Sequence, residues 1–71
     1  MKTRLFWYPG PATMRPGWAY RFTGAQGYEA ISMLPGSVER DASDAKILAA
    51  AQEDARLHHL RLSFYVDRGD G

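Results

Sequence analysis

Covalent chemistry needs a nucleophile beside a base, or a set of ligands converging on a metal, and this 71-residue chain offers little of either. The hydroxyl side chains of Ser32, Ser37, Ser43, Thr3, Thr13 and Thr23 sit in no motif that would pair them with a base. Ser43 falls at a predicted helix start, which accounts for it. His58-His59 puts two imidazoles side by side. Adjacent helical residues point about 100° apart, whereas helical metal-binding histidines are spaced i, i+4. With no cysteine in the chain and no third ligand nearby, the pair reads instead as two side chains well placed against a helix C-terminus. Gly24-Ala25-Gln26-Gly27 leads into a predicted strand and not a helix, so it is not a phosphate-binding loop. The sequence therefore predicts no catalytic, cofactor-binding or metal-binding residues and no enzyme.

The stronger chemistry is non-covalent. No acidic residue precedes Glu29. Ahead of it lie Lys2, Arg4, Arg15 and Arg21, both tryptophans, three of the four tyrosines and two of the three phenylalanines. From Glu29 onward five Lys/Arg face eight Asp/Glu, so a net charge of +1 hides a basic, aromatic front and an acidic back. Charge sorted along a chain predicts charge sorted on a surface, and surfaces select partners.

These side chains need elements to hold them. Thr3–Tyr8 is an aromatic strand stopped by Pro9-Gly10-Pro11. Gly10–Gly17 is a proline-rich loop, suited either to recognition or to guarding a sheet edge. Trp18–Phe22 alternates with strand period, Thr23–Gly27 turns, and Tyr28–Leu34 is a third strand, which together make an antiparallel meander. Pro35-Gly36 turns again, and Asp41 is the expected N-cap of a helix running to about Leu57. On a helical wheel Ala45, Leu48, Ala51, Gln52 and Ala55 share a face that would lie against the sheet. Leu60–Val66 reads as the fourth strand and Asp67–Gly71 as a polar tail. The predicted fold is a single α+β domain over residues 1–71, two-layer β-β-β-α-β, with a four-stranded, mainly antiparallel sheet and one helix on one face.

One helix cannot cover both faces of such a sheet. With Leu5, Trp7, Trp18, Tyr20, Phe22, Ile31, Met33, Leu60, Leu62, Phe64 and Val66 toward the helix, the other face would carry Arg4, Phe6, Tyr8, Ala19, Arg21, Tyr28, Arg61, Ser63 and Tyr65. An arginine- and tyrosine-rich face has the composition of protein–protein hot spots. Arg4, Tyr8, Arg21, Tyr28, Arg61 and Tyr65 of that face, with Arg15 and Trp18 from the Pro9–Trp18 loop, are the predicted partner-binding residues. A second copy of the chain is another candidate cover for that face. Single-stranded nucleic acid is the alternative, but lysines are few and the isoelectric point of about 8.1 is modest for that role. The helix adds a second, acidic surface from Asp44, Glu53 and Asp54, with Glu39 and Asp41 nearby.

Gly27-Tyr28-Glu29-Ala30-Ile31-Ser32-Met33-Leu34-Pro35-Gly36, followed by Asp41-Ala42-Ser43-Asp44-Ala45 opening a helix, resembles the HicB-type antitoxins. Their pattern is a Gly-Tyr strand, a Leu-Pro-Gly turn and a helix begun by an acidic capping element. The resemblance covers Gly27 to about Ala55 and implies a partial ribonuclease-H-like β-β-β-α-β fold that binds and blocks a small toxin ribonuclease. The aspartate that family usually carries before the Leu-Pro-Gly turn is missing here. Ribonuclease-H-type metal catalysis needs carboxylates on central strands, and Glu29 is the sole strand acid. In size and layout the chain also resembles small phage proteins that disable bacterial defence complexes, anti-CRISPR proteins among them.

A domain this small has a thin core: it buries only about 60% of its unfolded surface, with no disulfide to help. No apolar run of about 7–15 residues follows Lys2 and Arg4, so no signal peptide is predicted. No stretch approaches the ~20 apolar residues of a membrane span. The expectation is a cytoplasmic protein (of the host cell if phage-encoded) that binds and sterically inhibits another protein or nucleoprotein complex, with no membrane partner.

Overall fold

The structure, a computed structural model, describes residues 1–12 and 15–69. Thr13 and Met14 of the proline-rich loop, and Asp70 and Gly71 of the polar tail, lie outside the described residues. The elements are β1 (Thr3–Tyr8), β2 (Gly17–Thr23), β3 (Glu29–Met33), α1 (Asp44–Leu57) and β4 (Phe64–Val66). They form the α+β, β-β-β-α-β arrangement expected, as one four-stranded sheet ordered β3-β2-β1-β4. β1, β2 and β3 are the antiparallel meander, while β4 returns parallel to β1.

β1 and β2 obey the predicted alternation. Leu5, Trp18 and Tyr20 are buried on the helix side, together with Leu34, Val38, Ile47, Ala51, Ala55 and Phe64. Trp18 donates its indole N–H to the Glu39 carbonyl at 2.9 Å, which satisfies the one polar atom of a ring only 1% exposed.

β3 is inverted relative to expectation. Its register pairs Tyr20 with Ser32 and Arg21 with Ile31, so Ser32 faces the helix while Glu29, Ile31 and Met33 join the open face. The cause sits on the helix. Asp54, its side chain 15% exposed, accepts hydrogen bonds from the Ser32 hydroxyl and the Tyr20 hydroxyl, each at 2.6 Å. A serine with such an acceptor can be buried without loss, and an isoleucine in its place could not use it.

The helix also starts and faces differently. Ser43, not Asp41, is the N-cap, and its hydroxyl accepts from the Lys46 N–H at 3.2 Å. Asp41 lies instead in a turn closed by the Ala42 N–H on the Glu39 carbonyl. The buried stripe is Ile47, Ala51 and Ala55, spaced i, i+4, i+8, whereas Ala45 and Gln52 are exposed.

At the other end the fourth strand is shorter than predicted because the helix closes with a Schellman motif. The Leu60 N–H reaches the Ala55 carbonyl and the His59 N–H reaches the Arg56 carbonyl. His59 takes the left-handed φ of 59° that glycine usually supplies there. Leu60 to Ser63 then cross from the helix to the sheet, and pairing resumes with the Thr3 N–H on the Ser63 carbonyl. Leu60 and Leu62 are only half-buried against the core, outside any strand.

Candidate functional site

The helix-free face carries Glu29, Ile31 and Met33 of β3, Ala19 and Arg21 of β2, Arg4, Phe6 and Tyr8 of β1, and Tyr65 of β4. Its centre is Phe6, only 8% exposed although no helix covers it. Two guanidinium groups form the cover. The Arg4 Cζ lies 4.9 Å and the Arg21 Cζ 4.8 Å from the Phe6 ring centroid, and Tyr8 meets the ring edge-on at 6.4 Å. Ala19, opposite Phe6 across the β1–β2 ladder, is small enough to leave room for the ring.

The two arginines differ in what holds them. Arg4 Nε donates to Asp67 Oδ2 at 2.6 Å. That bond, and then the Gly69 N–H on Oδ1, hold the Asp67 carboxyl below its ordinary range. Arg21 has no carboxylate partner among the described residues. Its guanidinium lies over the Phe6 ring with no carboxylate bonded to its donors among the described residues. Around this pair, Tyr65 and Ile31 are 43% and 40% exposed.

The eight predicted contact residues thus divide. Arg4, Tyr8, Arg21 and Tyr65 come together on this face. Trp18 does not, being a core residue. Tyr28 is 75% exposed but directly precedes β3 and alternates with Glu29 onto the opposite surface. Arg61 lies in the crossing between helix and β4, where it lines an open groove with Gln52, Glu53 and Arg56. Arg15 is exposed near Gly36, away from the centre of the face. The acidic helix surface is also weaker than its sequence suggested. Asp54 turns inward, Glu53 pairs with Arg56, and Asp44 pairs with Arg68.

Two features escaped the sequence reading. The first is a cleft of about 360 Å³ lined by Trp7, Trp18, Arg40, Asp41 and Arg68. The two indoles meet edge to face at 5.7 Å, with Arg40 over Trp7 and Arg68 over Trp18. Arg68 is tied to the Ala42 carbonyl at 2.8 Å as well as to Asp44, so this cleft is mostly self-satisfied. The second is the Tyr20–Ser32–Asp54 cluster, with His58 Nδ1 3.5 Å from Asp54 Oδ2 and 2.8 Å from the Asp54 carbonyl. Burial first, and then the bond to Asp54, push the Tyr20 hydroxyl up to about 12. A serine, a carboxylate and a histidine invite a catalytic reading, but Ser32 and Tyr20 both donate to the same carboxylate oxygen and neither lines a cleft described above. The cluster holds β2, β3 and α1 in register. No family model, curated protein or solved structure matches the chain.

Proposed function

We propose that this protein acts by binding another protein, or a nucleoprotein complex, through the helix-free sheet face, and that it blocks its partner sterically without catalysing a reaction. The observation that carries this is the arginine-covered Phe6, with Arg21 lacking a carboxylate partner among the described residues and Tyr65 and Ile31 exposed beside it. Tyrosine and arginine around a desolvated aromatic centre form the pattern of a protein–protein hot spot. A base-stacking platform needs open aromatic faces, and here the central ring is occupied by its own arginines. The likeness of Gly27–Gly36 and the helix start to HicB-type antitoxins points to the same class of activity, an antitoxin-like or phage anti-defence inhibitor working in the cytoplasm.

The test is recovery of a partner from the host by tagged protein, comparing the natural chain with the Arg21→Ala/Tyr65→Ala variant. The natural chain should retain a specific protein that the variant loses. Both substitutions are at exposed positions and Arg21→Ala also removes its contact with Phe6, so unfolding free energy should fall by about 1–2 kcal/mol, which leaves the fold intact for the comparison. Equal retention by both proteins, or recovery of the bait alone, would refute the assignment. Tight binding of single-stranded oligonucleotides at low salt, lost in the same variant, would transfer the face to nucleic acid.

A further inference from the structure

We infer that two copies of this chain associate edge to edge through β3, in an antiparallel register centred on Ile31. The inference rests on backbone geometry and does not depend on the function proposed above. β3 is the terminal strand of the sheet. The Leu34 N–H bonds the Trp18 carbonyl and the Gly24 N–H bonds the Tyr28 carbonyl, which sets the alternation of the β2–β3 ladder. Residues 28, 30, 32 and 34 therefore turn their backbone groups inward to β2. Glu29, Ile31 and Met33 turn theirs outward, where no strand meets them among the described residues.

Sheet edges are normally protected by bulges, prolines, lysines or extreme shortness. The other edge, β4, is three residues long. β3 has five residues, no proline, no lysine and a single charge, Glu29. Its sequence is compatible with its own antiparallel copy. About a two-fold axis at Ile31, Ile31 meets Ile31 of the second copy, and Glu29 meets Met33 at both ends. No like charges face each other, and a β-branched residue occupies the centre. Each of these three pairs is one whose free N–H and C=O can be exchanged in full. The left-handed φ of 86° at Gly27 and the missing N–H of Pro35 bound the segment on either side, which discourages slipped registers. The half-exposed Ile31 and Met33 side chains would be covered, and two helix-free faces would join into one continuous surface. This symmetry makes a second copy, and not an unrelated strand, the occupant that fits.

A five-residue edge is small beside the ~1,200–2,000 Å² of a standard interface, so a dissociation constant of about 10⁻⁵–10⁻⁴ M is expected. Sedimentation equilibrium should show the mass rising from one 8.0 kDa chain toward twice that value as concentration passes through this range. Ile31→Lys sets like charges opposite each other at the axis and leaves the backbone bonds to β2 in place, and should abolish the rise; because the lysine also stands opposite Arg21 of its own chain, the unfolding midpoint of the variant is measured alongside. Ile31→Val should keep it. In the natural chain the amides of Glu29, Ile31 and Met33 should exchange at least tenfold more slowly at high concentration than at low. A mass that stays monomeric to about 1 mM overturns the inference, as does a dimer indifferent to Ile31→Lys. A dimer in which those three amides still exchange freely also overturns it, and would indicate face-to-face association. The exchange measurement uses the natural chain alone, so it decides the matter even where a variant folds poorly.

Discussion

Asp54→Ala should be among the most damaging single substitutions in this domain, although aspartate is not a core residue type. The carboxylate is 15% exposed and accepts two hydrogen bonds of 2.6 Å, from Tyr20 and Ser32. Truncation strands the Tyr20 hydroxyl in a fully buried residue and leaves the buried Ser32 hydroxyl without its acceptor. An orphaned buried donor costs about 1–3 kcal/mol, so two sum to about 2–6 kcal/mol, and because the Asp54 site reaches the surface and can admit water the lower part, about 2–4 kcal/mol, is expected. A domain of this length has roughly 4–10 kcal/mol in total. In urea, with a slope of about 1 kcal/mol per M for so small a protein, the midpoint should fall by about 2–4 M. Tyr20→Phe removes one donor and leaves Ser32 on the carboxylate, and should cost about 1–2 kcal/mol. Because Tyr20 and Asp54 share one interaction, the double variant should cost less than the two singles together, by about 1–2 kcal/mol. An Asp54→Ala cost below about 0.5 kcal/mol, or strict additivity in the cycle, would refute the view that this cluster locks β2 and β3 to the helix.

Two further predictions follow from local chemistry. The Tyr20 hydroxyl is raised from its ordinary value of 10.0 to about 12, chiefly by burial, so the unfolded chain loses this proton first as pH rises. Tyr20's contribution to stability is therefore whole below pH 10 and is lost between about pH 10 and 12. Denaturant unfolding across that window should show a decline that is reduced in Tyr20→Phe; an identical decline would remove Tyr20 as its source. His59→Gly should stabilise the domain by about 0.5–1 kcal/mol, because glycine adopts the left-handed conformation without the Cβ penalty. That gain should raise the melting temperature by roughly 2–8 °C, and a fall would show that the His59 side chain makes a contribution larger than its backbone cost.

The chain order of the elements and the two faces of β1 and β2 were legible because those strands bear different residue types on each side, whereas the place of β4, parallel beside β1, was not. β3 was not legible in the same way. Glu29-Ala30-Ile31-Ser32-Met33 puts its larger apolar residues on one side, and periodicity assigns that side to the core. What reverses it is a carboxylate 22 residues away on the helix, which makes serine the better buried residue. The helix start was misread for a related reason, while its end at Leu57 was read correctly. Asp41 and Ser43 are both competent caps, and the choice falls to the turn that Glu39 and Ala42 close ahead of the helix. Trp18 misled as a contact residue because a large aromatic beside a loop looks like one until its N–H finds a carbonyl, as it does at Glu39.

The charge asymmetry along the chain undergoes a similar revision in three dimensions. β4 lies beside β1, with Arg4 opposite Tyr65, so the acidic back half delivers Asp67 to the basic front and neutralises Arg4. Arg68 and Asp44, and Arg56 and Glu53, cancel within the back half itself. Charge sorted in sequence is thus largely unsorted on the surface. Arg21 escapes because β2 lies inside the sheet, one strand removed from β4, where Asp67 does not reach it. Its guanidinium rests on Phe6 with no carboxylate among the described residues to answer it. A surface arginine can remain solvated at little cost, so the missing partner alone requires nothing. Held over an aromatic ring beside an exposed tyrosine and isoleucine, however, it has already given up part of its conformational freedom, and a carboxylate or carbonyl from another protein would gain the bond at a reduced ordering cost.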